Sequence, residues 1–150
     1  MGEDVLLVGY GNPARRDDGV GISIVEEMTR LGLPGVATQT VHQLNMELVE
    51  DIIRYKRSIF VDASQGGQPV SLRKCEPSDG AIAASSHHLS PNALAGLAER
   101  LYHVPVELYI CTVRGENFDF GDTLTPGVQK RAMDAIGLIR SLIEEWTHHA

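Results

Sequence analysis

The chain has 150 residues, of which 43% are hydrophobic and 22% charged, values that are typical of one globular domain and exclude a disordered chain. Its formal net charge of −7 disfavours nucleic acid and an anionic membrane surface as the main partner, and is compatible with a monomer. No stretch reaches the roughly 20 apolar residues of a membrane span, and the acidic start lacks a signal-peptide pattern, so we expect a cytoplasmic protein with one domain over residues 1–150.

Hydrophobic patterning divides the first half of the chain into alternating strands and helices. Val5–Val8 is a short apolar run that ends at glycines and predicts a buried strand. The spacing of apolar residues predicts a helix over Val20–Leu31, with Asp17 or Asp18 as its N-cap and Gly32 as its stop. Three further strands and one short helix are predicted, at 36–41, 58–62, 70–75 and 46–53.

The second half of the chain continues this alternation. Small and polar residues predict a loop over 76–90, and a proline at the first helical turn predicts a helix over Pro91–Leu101. A strand over Val104–Val113, a loop over 115–126 and a long helix over Val128–Trp146 follow. This order predicts an α/β fold with helices on both faces of a mostly parallel sheet. With a 2-1-3 strand order, a ligand crevice lies between the first and third strands.

Acidic residues stand at both chain segments that border this crevice. Asp17 and Asp18 follow the first strand, and Asp62 ends the third. A helix cap explains one of the adjacent aspartates but not both, and a turn cap is the alternative for Asp62. His87 and His88 lie in the 76–90 loop, where an isolated pair is usually solvent-exposed. Beside two carboxylates, one imidazole would form an open site for Zn²⁺ or Ni²⁺, of the kind that is either catalytic or completed by a substrate.

The segment 9–14, with the sequence GYGNPA, has the spacing of a dinucleotide-binding fingerprint. The helical pattern begins several residues too late, however, and two carboxylates stand where pyrophosphate would need a bare helix N-terminus. The second strand ends at Val41-His42 without the acidic residue that binds a ribose. A nucleotide-binding enzyme is therefore disfavoured.

Residues 9–21 contain the pattern G-x-G-N-x-x-x-x-D-D-G-x-G, which resembles the opening motif of the hydrogenase maturation proteases. The likeness continues in chain order with HQLNMEL at 42–48, IFVDA at 59–63, SHHL at 86–89 and LTP at 124–126. The resemblance implies a three-layer αβα sandwich around a twisted, mostly parallel five-stranded sheet. It also implies an endopeptidase that removes the C-terminal extension of a NiFe-hydrogenase large-subunit precursor after nickel insertion, with the precursor's nickel as the recognition element.

Carried over by position, the resemblance implies that Asp18, Asp62 and His87 hold this nickel, or zinc or another divalent ion in its place. His88 is the runner-up for the histidine ligand. His42 and Gln43 stand where many relatives carry an Asp-Gly-Gly-type loop, and with His88 they are the candidate substrate-binding residues.

Two mechanisms are open for the catalytic aspartates, Asp18 and Asp62. A metal could polarise the scissile carbonyl or activate a bound water, or the two carboxylates could share a proton as an acid/base pair. The alternative function is a non-catalytic, nickel-dependent binding or chaperone module in metalloenzyme assembly. Such a module would bind the nickel-loaded partner without cutting it.

Overall fold

The structure is a computed structural model that describes residues 4–77 and 89–148, the last of these by its backbone only. In these two ranges, strands and helices follow one another in an order close to the predicted one. The strands are Val5–Tyr10 (β1), Val36–Val41 (β2), Arg57–Ser64 (β3), Val70–Cys75 (β4) and Glu107–Arg114 (β5). The helices are Val20–Leu31 (α1), Leu48–Ile52 (α2), Pro91–Tyr102 (α3) and Pro126–His148 (α4). None of these helices combines the length and apolar character needed to cross a bilayer.

The five strands form one sheet in the order β2-β1-β3-β5-β4. The three pairings among β2, β1, β3 and β5 are parallel, and β4 adds to the edge in the antiparallel direction. The predicted mostly parallel sheet and the 2-1-3 order of its first strands are confirmed. β1 therefore has a neighbour on each side, and the chain crosses from one side to the other at this point.

Each face of the sheet is covered by helices, because the strands bury side chains in both directions. Leu6, Val8 and Phe60 belong to the core beneath α2 and α3. Leu7 and Ile59, their neighbours along the same strands, belong to the core beneath α1 and α4. The three-layer αβα arrangement is confirmed. It also explains why β1 and β3 appear in the sequence as continuous apolar runs rather than alternating ones.

The start of α1 differs from the prediction. A short 3-10 turn at Arg16–Gly19 precedes the helix. The N-cap of α1 is Gly19, so no side chain caps the first turn of the helix with a hydrogen bond. The predicted capping by Asp17 or Asp18 is therefore wrong, because both aspartates lie inside the turn. The carboxylate of Asp18 accepts from Asn12 and that of Asp17 accepts from the loop before α4. The predicted stop is confirmed, since Gly32 is left-handed with φ 62° and donates to the last helical carbonyls.

Gly21 brings the first turn of α1 against the backbone of the sheet. A Cβ atom at Gly21 would lie 2.2 Å from the carbonyl oxygen of Val61 and 3.0 Å from that of Tyr10. A Cβ atom at Gly9 would in turn lie 2.4 Å from the carbonyl oxygen of Gly21. Backbone cannot move aside as a flexible side chain can, so glycine is needed for this close approach.

We expect Gly21→Ala to lower the free energy of unfolding by about 3 kcal/mol, since the added methyl group overpacks a rigid contact. Urea unfolding followed by circular dichroism measures this change. Gly137→Ala in α4 is the matched control, because nothing lies within 4 Å of its Cβ position. That change should be neutral or stabilising by up to about 1 kcal/mol. Equal stability of the two variants would contradict the close-packing interpretation.

Candidate active site

A crevice of about 360 Å³ opens at the carboxyl ends of β1 and β3, where the sheet predicts a ligand site. Four residues singled out from the sequence line it together: Asp18, Asp62, His42 and Gln43. The rest of the lining comes from the ends of the neighbouring loops: Tyr10, Gly11, Asn12, Arg15, Leu44 and Leu89. The residues thus converge from four separate segments of the chain.

The strand register explains why Tyr10 and Asp62 lie side by side. The last pair that β1 and β3 form is Gly9 with Val61, so both residues come directly after the point where the two strands stop pairing. On the other side of β1, the pairing with β2 ends at Tyr10 and Val41, and His42 follows in an exposed bend. The crevice is therefore the space left where three strand ends separate.

The predicted histidine ligands, His87 and His88, lie outside the described residues. Leu89, where the description resumes, lines the crevice. Within 4–77 and 89–148, no three side chains of His, Cys, Asp or Glu are grouped closely enough to hold a metal ion. Asp18 and Asp62 with His42 therefore do not form a metal centre of their own. The described part of the site is an acidic pair with room for further ligands.

Asp18 is fixed at the crevice by the loop that follows β1. Its Oδ2 atom accepts a hydrogen bond of 2.8 Å from the backbone N–H of Asn12. Gly11 has φ +141°, and a Cβ atom there would lie 2.1 Å from the carbonyl oxygen of Asp18. Only glycine fits where the two backbone segments cross. This crossing fixes the carboxylate of Asp18 while leaving it half-buried.

Asp62 has a pKa raised to about 6. Burial is the largest cause, and the nearby carboxylate of Asp18 adds to it. Hydrogen bonds from the Tyr10 hydroxyl and the Ala63 backbone N–H act in the opposite direction without cancelling the effect. A carboxyl group with this pKa can exchange a proton near neutral pH, which is the property that acid/base catalysis requires.

Tyr10 is a site residue that sequence reasoning missed. Burial, together with the charge of Asp62 and the interaction of the Tyr10 hydroxyl with that carboxylate, raises the pKa of Tyr10 above its ordinary value. Its ring meets the Phe60 ring edge-on, with 6.3 Å between the ring centroids. The predicted strand ended at Val8, so Tyr10 was assigned to the following turn. A polar aromatic residue between the two glycines that follow an apolar run is the available signal.

Asp17 is buried outside the crevice, and its carboxylate accepts hydrogen bonds from the loop before α4. Its side chain is 0% exposed. One oxygen accepts from the backbone N–H groups of Glu116 and Asn117 and from the Thr125 hydroxyl, and the other accepts from the Thr125 N–H, all at 2.8 or 2.9 Å. Burial alone would raise the pKa of Asp17, but these hydrogen bonds outweigh it and hold the pKa below its ordinary value. The two adjacent aspartates therefore have separate roles.

The chain was compared with known proteins, and no family model matches it. A curated protein of Methanocaldococcus jannaschii, provisionally named a hydrogenase maturation protease, is 25% identical over 145 residues, which cover 89% of this chain and 90% of that protein. The fold is similar to that of the NiFe hydrogenase maturation protease HycI from Thermococcus kodakarensis, with a TM-score of 0.73 and 20% identity over 95% of this chain and 93% of that one. The hydrogenase maturating endopeptidase HybD from E. coli has the same TM-score and coverage at 24% identity.

These likenesses confirm the predicted resemblance to the hydrogenase maturation proteases and the predicted fold. They extend over nearly the full length of this chain and of the proteins compared. All three proteins are named as proteases or endopeptidases of hydrogenase maturation, in agreement with the predicted enzyme class.

Proposed function

We propose that this chain is an endopeptidase that removes the C-terminal extension of a NiFe-hydrogenase large-subunit precursor after nickel insertion. The observation that carries the proposal is the meeting of Asp18 and Asp62 in one crevice at the switch point of the sheet. It is supported by the likeness of nearly the whole chain to proteins named as hydrogenase maturation proteases. A further part of the proposal is that the precursor's nickel is what the crevice recognises.

An incomplete ligand set suits a metal that arrives with the substrate. Nickel inserted in a precursor already carries ligands of that protein, so the crevice has to supply only the remaining ones. Asp18 and Asp62 offer two carboxylates, and His87 is the proposed nitrogen ligand. Zinc or another divalent ion would accept the same donors. The crevice would then bind the metal weakly by itself and firmly only as part of the loaded precursor.

Docking on the metal would place the C-terminal peptide of the precursor along the crevice. His42 and Gln43 are exposed at its lip and can form hydrogen bonds with the peptide backbone. Holding the scissile bond beside Asp62 would supply much of the rate through positioning. The bond would then be cleaved either with the metal polarising its carbonyl or with the aspartates transferring protons.

The first experiment is to offer the purified protein a nickel-loaded large-subunit precursor and a nickel-free one, and to follow intact mass. We expect trimming of the loaded form at least about 100-fold faster, since only that form makes the metal contact, which would be worth about 3 kcal/mol. Trimming of both forms at one rate would overturn nickel recognition but not the peptidase. Binding of the loaded form without trimming would instead support the alternative, a nickel-dependent binding or chaperone module.

A further inference from the structure

Arg15 brings a positive charge to the crevice that otherwise contains two carboxylates. It is one of the lining residues, together with Asp18 and Asp62. Within the described parts of the chain, three ion pairs are formed, and Arg15 takes part in none of them. Its terminal nitrogens also have no hydrogen-bond acceptor among the described residues, since its bond to the protein is made through Nε. As far as residues 4–77 and 89–148 are concerned, the paired donors of the guanidinium group are therefore open to another molecule.

The side chain of Arg15 is held in place despite its exposure. Its Nε atom donates a hydrogen bond of 3.1 Å to the carbonyl oxygen of Phe118. Its guanidinium carbon lies 5.6 Å from the centroid of the Phe120 ring, at the distance of a cation–π contact. Phe120 itself is 86% exposed, so this contact takes place at the surface. An arginine whose guanidinium group is held through Nε and through one face of its plane loses little further conformational freedom when it binds a ligand.

The backbone beneath Arg15 is equally well fixed. Gly121 pairs with Arg15 in an isolated parallel bridge. The Gly121 N–H donates to the Ala14 carbonyl oxygen, and its own carbonyl oxygen accepts from the Arg16 N–H, both at 2.9 Å. Backbone hydrogen bonds therefore join the loop that carries Arg15 to the loop that carries Phe120. These bonds hold the two residues next to each other.

We infer that Arg15, held over Phe120, binds a carboxylate of the peptide substrate and so contributes to the choice of substrate. The inference rests on the proposed endopeptidase function. A guanidinium group presents paired N–H donors that match the two oxygens of a carboxylate, and such charge-assisted pairs are stronger than neutral hydrogen bonds. The carboxylate belongs either to the C-terminus of the extension or to an acidic side chain within it.

The test is steady-state cleavage of the nickel-loaded precursor by wild type, Arg15→Gln and Arg15→Lys. We expect Arg15→Gln to raise KM by about 10- to 100-fold with kcat nearly unchanged, because it removes a binding contact that takes no part in breaking the peptide bond. Arg15→Lys should recover part of the loss, since it restores the charge without the paired donors. Arg16→Gln is the matched control, because Arg16 binds the Thr123 carbonyl oxygen of the same loop and does not line the crevice.

Modified substrates separate the two sources of the carboxylate. One precursor carries a C-terminal amide, a second has the acidic residues of its extension changed to amides, and a third combines both changes. For wild type, KM should rise with the substrate that lacks the bound carboxylate, and Arg15→Gln should then add no further loss. The modified precursor on which both results are seen identifies the carboxylate that Arg15 binds.

Four results would overturn the inference. Arg15→Gln could leave KM unchanged while wild type cleaves, which would leave the endopeptidase function standing. Its full effect could persist on the doubly neutralised substrate, or be equalled by Arg16→Gln, which would show that Arg15 acts only by joining the loops. Absence of any cleavage by folded wild type would instead defeat the proposed function, and the inference with it.

Discussion

Replacing Asp17 by alanine is expected to lower the free energy of unfolding by about 3–5 kcal/mol, a large part of the stability of a domain of this size. The change removes a buried acceptor and leaves three backbone N–H groups and one hydroxyl without their partner. These four hydrogen bonds are partly buried, so the donors that lose the charged acceptor regain only part of their hydration. Urea unfolding at neutral pH measures the loss.

Asp18→Ala is the matched control for Asp17, since it removes the neighbouring carboxylate in the same turn. Asp18 accepts one exposed hydrogen bond, from Asn12, so the expected loss is about 1 kcal/mol or less. The pH dependence gives a second check. Because the folded pKa of Asp17 is lowered, its stabilising contribution is present above its unfolded pKa and is lost as the pH falls through the folded one. Equal losses in the two alanine variants would contradict the division of roles between them.

Asp62→Asn is expected to abolish cleavage and at the same time to stabilise the fold. Cleavage should fall by at least about 100-fold, since the amide supplies neither the charge nor the proton transfer that the proposed site needs. Stability at pH 7 should rise by about 1–2 kcal/mol, a value that allows for the partial exposure of the side chain. The reason is the raised pKa of about 6, which means that the folded protein resists ionisation of Asp62.

The sign of this effect follows from proton linkage. Between the unfolded pKa of about 4 and the folded pKa, the folded state of wild type retains a proton that the unfolded state has lost. The free energy of unfolding of wild type therefore decreases, relative to that of Asp62→Asn, as the pH rises from about 4 to about 6, and the difference is constant above that.

Denaturant unfolding over this pH range, with cleavage of the loaded precursor in parallel, tests both halves of the prediction for Asp62. Asp134→Asn provides the control, because it removes an exposed carboxylate of α4 far from the crevice lining and should change stability by less than about 0.5 kcal/mol. Cleavage at the wild-type rate by Asp62→Asn would remove Asp62 from the proposed machinery. A loss of stability at pH 7 would contradict the assignment of its pKa.

Local sequence patterns were sufficient for much of the fold. The bounds predicted for α1, β2 and β4 agree with the structure, because apolar spacing and glycine stops are properties of neighbouring residues. β5 begins at Glu107 rather than at Val104, since Pro105 has no N–H to donate to a strand partner. The location of the crevice followed from the order of the strands, once that order was assumed.

The separate roles of the two adjacent aspartates could not be predicted from local sequence patterns. Asp17 and Asp18 are identical residues at adjacent positions, and local sequence gives no basis for burying one and leaving the other at the crevice. What separates them is Thr125 with its neighbours, 108 residues further along the chain. The contact between Arg15 and Phe120 is hidden from local sequence for the same reason, because Phe120 belongs to the same loop as Thr125. The assignment of His87 as a ligand stays a prediction.

The hydrogen bonds of Asp17 also bear on when a newly made molecule can act. They span between 99 and 108 residues, so the loop that they hold beside Arg15 is synthesised well after Asp17. Translation proceeds from the N-terminus, and a growing chain therefore contains Asp18 and Asp62 before it contains Glu116 and Thr125. The loop that carries Phe120 can take its place beside Arg15 only after these later residues have been made.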